Sequence, residues 1–261
     1  GLAHHHAPVS PFGLAALARS LGPAATAALA AARDVALAMP GARDEATAAV
    51  LDSATGLDPD LRSKAVRLVA NRLLPEPLLA DAIVARATEE LEAGLAVEEP
   101  PKEEVVVEGE AGDADGAEPP PPTAASAALD AATRHVELYC ALITRRPDLL
   151  AGLLSAFARA TPRAPGRAAV LRLADGLART LGPGAPALVD AVTAPCPAGA
   201  EALLLKLAYA STERAPAPPA LAAALLAAHA ATGDGRFLPP ALGGLPRDRV
   251  LASLADVVWL D

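Results

Sequence analysis

Between residues 194 and 259 the sequence contains three apolar runs of helical length, each bounded by proline or glycine. The runs cover 198–214, 220–232 and 246–259; prolines precede the first two, Pro246 opens the third, and Gly233 follows the second. Proline is tolerated in the first turn of a helix but disrupts its interior, and glycine commonly ends one. This spacing predicts short helices joined by tight turns.

Within 198–214, apolar residues recur at spacings of three and four. Leu205 and Tyr209 share one predicted face, and Lys206 takes a polar position. An apolar face of this kind must be covered by a neighbouring helix, and the next two runs offer leucine and valine stripes, which include Leu225 and Leu251. Antiparallel helix pairs with short turns predict an α-solenoid.

The rest of the chain repeats this pattern, with no strand-like alternation of polar and apolar residues. Asp58 is a predicted N-cap, and Pro59 follows at the first helical position. Further helices are predicted over 12–21, 24–39, 44–54, 59–74, 77–95, 124–146, 148–160, 166–181 and 187–193. The predicted fold class is all-α, a HEAT-like helical-hairpin solenoid, or α-α superhelix, in two blocks.

An acidic, proline-rich segment interrupts the helical pattern and sets the expected domain boundaries. Residues 97–123 hold nine acidic residues against Lys102, and so carry eight of the nine net negative charges of the chain. Such a segment has few groups to bury, and we expect a disordered linker. The expected organisation is a flexible lead-in over 1–11, helical block 1 over 12–96, the linker over 97–123 and helical block 2 over 124–261.

Composition limits the compartment and the classes of partner. Outside the linker the chain is close to neutral, which disfavours DNA binding and makes RNA contact unexpected. Two cysteines without metal-type spacing suggest a reducing intracellular compartment. No run is apolar and long enough for a predicted membrane span, and the N-terminus lacks the pattern of a signal peptide.

The sequence offers no convergent set of catalytic residues. His135 and His229 stand singly on predicted helices, and Cys140 lies in an apolar stripe without a cationic activator. The adjacent His4, His5 and His6 could bind a metal, but a solvated tail is the simpler interpretation. We therefore expect a protein that is not an enzyme and has no cofactor and no metal site.

Several ordered sequence blocks resemble one known family. The blocks are LRSKAVRLVANRL (61–73), HVELYCAL (135–142), CPAGAE (196–201), a proline-rich turn (216–221), DGRFLPPALGGL (234–245) and RVL (249–251). Together they resemble the C-terminal domain of symplekin, the scaffold of the mRNA 3′-end cleavage and polyadenylation machinery. The resemblance is strong from about residue 133 onward, fair over 58–74 and weak before that.

The resemblance implies a nuclear, non-catalytic scaffold that acts through protein–protein contacts. Its implied partners are the cleavage endonuclease and the inactive homologue of that enzyme, both subunits of the cleavage and polyadenylation specificity factor. Symplekins also have a long N-terminal HEAT domain, and their pattern continues beyond residue 261. We therefore expect a fragment or a shortened member of the family.

Two groups of residues are candidates for a partner interface. Arg62, Lys64 and Arg67 give the helix over 59–74 a basic surface, although solvent exposure alone also explains them. The second group contains the arginines and aromatic residues that are typical interface anchors, namely Arg236, Phe237, Arg247, Arg249 and Trp259. The aromatic members could instead close the last hairpin as core residues.

Two other functions remain open at this point. The chain could be an unrelated HEAT-type adaptor, for instance in trafficking. Alternatively, it could be an all-α enzyme or ligand-binding bundle with a site between helices. Converging acidic or histidine side chains in a pocket would favour the bundle.

Overall fold

The computed structural model describes residues 23–98 and 123–258, with the side chains of 24–98 and 123–252. Within these ranges every regular element is helical and no β-strand occurs, which confirms the predicted all-α class. The helices are α1 Pro23–Ala38, α2 Arg43–Ala54, α3 Pro59–Leu68, α4 Pro77–Leu95, α5 Ala124–Ile143, α6 Leu150–Arg159, α7 Pro165–Leu181, α8 Pro186–Thr193, α9 Glu201–Thr212, α10 Pro219–Thr232, α11 Leu238–Leu242 and α12 Arg247–Val258. The expected lead-in, the helix over 12–21, nearly all of the acidic linker and Trp259 lie outside the described residues.

The helix ends follow the signals in the sequence. The Asp58 carboxylate accepts hydrogen bonds from the backbone N–H groups of Asp60 at 2.9 Å and Leu61 at 3.1 Å, and Pro59 opens α3. Prolines also occupy the first turns of α4, α7, α8, α10 and α11. The first-turn N–H groups have no intrahelical partner, so proline loses nothing there.

The helices pack in two rows, as expected for a helical solenoid. In one row α4 lies along α5, α5 along α7 and α7 along α9, and in the other α6 contacts α8 and α8 packs against α10. From α5 to α9, each helix therefore contacts the helix after next. Stacked units of this kind bury a continuous core between the rows.

One hydrophobic core runs through both described segments. Ile83 of α4, Leu138 of α5, Phe157 of α6 and Leu203 of α9 are fully buried members of it. In α1 the buried positions are mostly alanines, which allow close helix approach but each bury little area at about 25 cal/mol per Å². Residues 23–98 and 123–258 thus share one core, although they are separated in sequence by the acidic segment.

Helix backbones approach closely where α4 meets α5 and α7. A Cβ atom on Gly166 would lie 2.4 Å from the carbonyl oxygen of Gly94 and 2.5 Å from the Cα atom of Leu95. A Cβ on Gly94 would lie 2.9 Å from the Cβ of His135. Only glycine fits at these two positions without movement of the backbone.

Two features differ from the predicted helices. The predicted helix over 59–74 changes at Val69–Leu73 to a π-helical turn, in which the N–H of Leu74 donates to the carbonyl oxygen of Val69 at 2.9 Å. In addition, α11 forms between two predicted helices, after a 3₁₀ turn at Gly235–Phe237 that the Asp234 side chain caps. Residues Pro239 and Pro240 suit the first turn of such a short helix.

The outer faces of two C-terminal helices also differ from expectation. Tyr209, predicted to lie under a neighbouring helix, has 42% of its surface exposed, and Leu251 has 59% exposed. The face of α9 that carries Tyr209 borders an open space between α7, α9 and α11, so this side chain is only partly covered.

Candidate functional site

An open groove lies between α7, α9 and α11, with a volume of about 500 Å³. Four charged side chains and one tyrosine line it, and a pair of prolines from α11 forms one edge. The lining side chains used below are Asp175 and Arg179 from α7, Lys206, Tyr209 and Glu213 from α9 and its end, and Pro240 from α11. We call this the Tyr209 groove.

The local sequence of α9 explains why these side chains point outward together. Lys206, Tyr209 and Glu213 are spaced by three and four residues and therefore share one helix face. Leu204 and Ala208 lie on the opposite side of α9 and are buried. The spacing of three and four residues is visible in the sequence. Grouping Tyr209 with Lys206 and Glu213 therefore predicts the face of α9 that lines the groove.

The Tyr209 phenol remains neutral in this setting. Partial burial and the nearby Asp234 carboxylate raise the pKa of Tyr209, and the Arg236 guanidinium opposes that shift. Because the ordinary value is already about 10, the hydroxyl carries its proton at physiological pH. It can therefore donate and accept hydrogen bonds while the ring offers apolar surface.

Two ion pairs cross the groove floor from α7 to α9. Lys206 Nζ lies 2.9 Å from Asp175 Oδ1, and Arg179 Nη1 lies 3.7 Å from the Glu213 carboxylate. All four side chains are substantially exposed, so the pairs add little stability. They leave a nearly neutral groove with alternating charge, a surface suited to polar contacts with another protein.

The structure places Arg236 and Phe237 differently from each other. Arg236 binds the Asp234 carboxylate through Nε at 2.9 Å and Nη2 at 2.7 Å, and this hydrogen-bonded pair lowers the pKa of Asp234. Phe237 is only 3% exposed and packs in the core. Of the two, only Arg236 is available to a partner beside the Tyr209 groove.

The remaining C-terminal candidates lie on the first turn of α12. Arg247 and Arg249 are both exposed there, and Trp259 lies outside the described residues. Helix α12 contacts α11, whose prolines border the Tyr209 groove, but neither arginine lines that groove.

The basic candidates on α3 separate into one structural residue and two surface residues. Arg62 Nε lies 3.0 Å from Glu137 of α5, and its Nη1 donates to the carbonyl oxygen of Gly56 at 2.9 Å. Its side chain is only 15% exposed, so Arg62 joins α3 to α5. Lys64 and Arg67 are exposed and donate to the hydroxyls of Thr26 and Ser63 respectively.

The two histidines in the described part of the chain have structural partners. His135 Nδ1 lies 2.6 Å from Glu90 Oε2, and Arg86 Nη2 lies 2.8 Å from the other oxygen of Glu90. This cluster joins α4 to α5 and uses a carboxylate that is nearly buried. His229 Nδ1 lies 3.2 Å from the carbonyl oxygen of Asp234.

The thiols are not activated. Burial, followed by the charge on Glu137, raises the pKa of Cys140 to about 12. Burial also raises the pKa of Cys196, which is partly exposed. Both side chains are therefore thiols rather than nucleophilic thiolates at neutral pH.

The described residues show neither a metal-binding cluster nor a membrane-spanning helix. Residues 23–98 and 123–258 contain no group of three or more histidine, cysteine, aspartate or glutamate side chains arranged to hold a metal ion. No helix in these ranges combines the length and apolar character that crossing a bilayer requires.

Comparison with known proteins gives no relative for this chain. No family model matches it, and neither a curated protein nor a solved structure matches it.

Proposed function

We propose that the chain is a non-catalytic nuclear scaffold that assembles the pre-mRNA 3′-end cleavage and polyadenylation complex by protein–protein contacts. The support from sequence is the ordered set of blocks that resemble the symplekin C-terminal domain, above all DGRFLPPALGGL. In the fold this block forms the 3₁₀ turn and α11, which border the Tyr209 groove. The partners in this proposal are the cleavage endonuclease and its inactive homologue.

The observation that carries the proposal is the Tyr209 groove itself. An aromatic side chain with 42% of its surface exposed lies among arginine, lysine and carboxylate groups at an open surface. Tyrosine and arginine are the residue types that contribute most to protein–protein binding energy. The groove is wide and shallow, which suits a protein segment better than a small molecule that must be enclosed.

Co-purification from nuclear extract tests the proposal. The tagged full chain is expected to recover the cleavage endonuclease and its inactive homologue. Tyr209→Ala combined with Arg179→Ala is expected to reduce recovery roughly tenfold, since loss of two central contacts typically costs more than one factor of ten in affinity.

Leu57→Ala is the matched control, because Leu57 is 80% exposed and lies far from the groove in the turn before α3. This variant should recover both subunits as the unsubstituted chain does. The proposal fails if the unsubstituted chain recovers neither subunit. Recovery of vesicle-coat components in their place would establish the adaptor function.

A further inference from the structure

A second groove, distinct from the Tyr209 groove, lies where the end of α3 meets the end of α5. Its volume is about 580 Å³, and three arginines surround it: Arg72, Arg145 and Arg146. Ala70 and Leu74 are buried beneath it and form an apolar floor. We call this the arginine groove.

The π-helical turn at Val69–Leu73 shapes one wall. A π turn accommodates one more residue than an α turn, so it displaces the side chains that follow it from the regular helical positions. Asn71 and Arg72 lie within this turn, and both are exposed and line the groove. Such turns recur at functional sites because the irregular backbone presents side chains that a regular helix would not.

The second wall holds its arginines in place. The Arg145 Nη2 group donates to the amide oxygen of Asn71 across the groove. Arg146 binds the Asp148 carboxylate through Nε at 2.9 Å and Nη2 at 2.8 Å. Each of these contacts fixes a guanidinium that would otherwise be free to rotate.

The charges on two of the three arginines are not neutralised. Asp148 compensates Arg146, and Asp81 also acts on Arg146 electrostatically. Arg145 is bonded to a neutral amide, and in the described part of the chain neither Arg145 nor Arg72 has a carboxylate within ion-pair distance. The groove therefore presents two uncompensated positive charges, one on each wall.

We infer that the arginine groove binds a phosphorylated serine or threonine of a partner protein, with Arg72 and Arg145 as the phosphate ligands. A guanidinium offers paired N–H donors that match phosphate oxygens, and clusters of arginines are the usual means of recognising phosphorylated segments. Phosphoserine carries nearly two negative charges at neutral pH, which matches the two uncompensated arginines better than a single carboxylate does. The apolar floor would contact the residues that flank the phosphate.

RNA is a less suitable ligand for this surface. Recognition of single-stranded RNA uses aromatic side chains on which bases stack, and the described residues that line the groove include no aromatic side chain. Outside residues 97–123 the sequence is close to neutral, which offers little general attraction to a long polyanion. The inference concerns a surface different from the proposed scaffold groove and does not depend on the cleavage-complex partners.

An NMR titration of the full chain tests the inference. The probe is a short glycine–serine peptide that contains one phosphoserine, and the observed signals are the arginine Nε–Hε resonances, assigned from single glutamine variants. The resonances of Arg72 and Arg145 should shift in a saturable way, while that of Arg163, which is exposed on the loop before α7, should not. In the variant Arg72→Gln with Arg145→Gln, affinity should fall roughly tenfold or more, since each charged hydrogen bond contributes strongly.

Three controls decide the outcome. Arg163→Gln should leave the affinity unchanged, and the unphosphorylated peptide and a glutamate-substituted peptide should each bind at least roughly fivefold more weakly. The inference is overturned if the glutamate peptide binds as tightly as the phosphopeptide, or if the double variant binds as the unsubstituted chain does. Binding of oligouridylate at Arg72 and Arg145 without binding of the phosphopeptide would assign the groove to RNA instead.

Discussion

The Arg62 guanidinium contacts two parts of the chain that are far apart in sequence, the turn at Gly56 and helix α5 at Glu137. The sequence pattern places Arg62 with Lys64 and Arg67 on one predicted helix, as a candidate surface for a partner. The helical periodicity of a sequence predicts which way a side chain points. It does not predict which residue the side chain contacts, and here that residue lies 75 positions later in the sequence. The contact could therefore not be predicted from the local pattern.

Replacement of Arg62 should destabilise the fold. Arg62→Met keeps much of the aliphatic stem but leaves the Glu137 carboxylate and the Gly56 carbonyl without their donor. We expect the free energy of unfolding to fall by about 1–3 kcal/mol. Urea denaturation followed by circular dichroism measures this change.

Arg67→Met is the matched control, because Arg67 lies on the same helix and is exposed. Its effect should stay within about 0.5 kcal/mol. Equal effects of the two substitutions would show that the Arg62–Glu137 pair does not stabilise the junction.

The two cysteines should differ in reactivity. With its pKa raised to about 12, Cys140 has roughly one thiolate in ten thousand molecules at pH 8, and its burial also excludes the reagent. Iodoacetamide should therefore add one group to the native chain, at Cys196, and two groups after unfolding in urea. Intact mass measurement gives the count, and the native Cys196→Ser chain should take up none. Labelling of native Cys140 at the rate of Cys196 would contradict its buried position.

At the scale of the helices, sequence punctuation predicted the starts of most elements to within a residue or two. The bounds of α4 agree with the prediction, although acidic residues crowd its C-terminal end, where the helix dipole disfavours them. Glu90 is bonded to Arg86 and His135, and Glu92 contacts Arg159. Arg86 lies one turn earlier in α4, whereas His135 and Arg159 come from α5 and α6. Together these contacts offset the unfavourable position of acids near a helix C-terminus.

Two elements had no clear signal in the sequence. Neither the π turn at Val69–Leu73 nor the helix α11 has a distinctive residue pattern of its own. Both therefore depend on how neighbouring helices pack against them. The Tyr209 groove depends on α11, so its walls could not be assembled from the sequence alone. The exposed face of α9 is the wall of the groove that the sequence does predict.

The glycine contact between α4 and α7 allows a test at this scale. Gly166→Ala would place a methyl group 2.4 Å from the Gly94 carbonyl oxygen, so the backbones must separate. We expect a loss of about 1–3 kcal/mol in the free energy of unfolding, as for other overpacked core sites. Thermal denaturation reports the change as a lower Tm.

Gly176→Ala, which also lies in α7, should raise the stability of the fold. A Cβ at Gly176 would meet no atom within 4 Å, and alanine is the better helix former, so stability should rise by about 0.5–1 kcal/mol. Equal shifts of Tm in the same direction for both variants would contradict the close packing of α4 against α7.

At the scale of the whole molecule, the sequence predicted the all-α solenoid but gave no sign of how its two blocks would meet. The acidic segment between them breaks the helical pattern, and no periodic feature indicates that α4 packs along α5. In the structure that packing gives residues 23–98 and 123–258 a common core. The domain boundaries at 96 and 124 therefore remain predictions about segments of the sequence. Whether each segment folds independently of the other is a separate question.

Splitting the chain addresses that question. When residues 1–98 and 123–261 are co-expressed as separate chains, we expect them to co-elute as a one-to-one complex, because each would otherwise expose core residues such as Ile83 and Leu138. Size-exclusion chromatography with light scattering measures the complex. Two soluble, monomeric halves that do not associate would show two independent domains.

The most direct measurement of the scaffold account is site-specific photo-crosslinking at the Tyr209 groove. A benzoylphenylalanine replaces Tyr209 in one preparation and Leu57, exposed but remote from the groove, in another, and each full chain is irradiated in nuclear extract. The account predicts that the probe at position 209 crosslinks to the cleavage endonuclease or its inactive homologue, and that the probe at position 57 does not. Equal crosslinking from both positions, or none to either subunit from position 209, would contradict it.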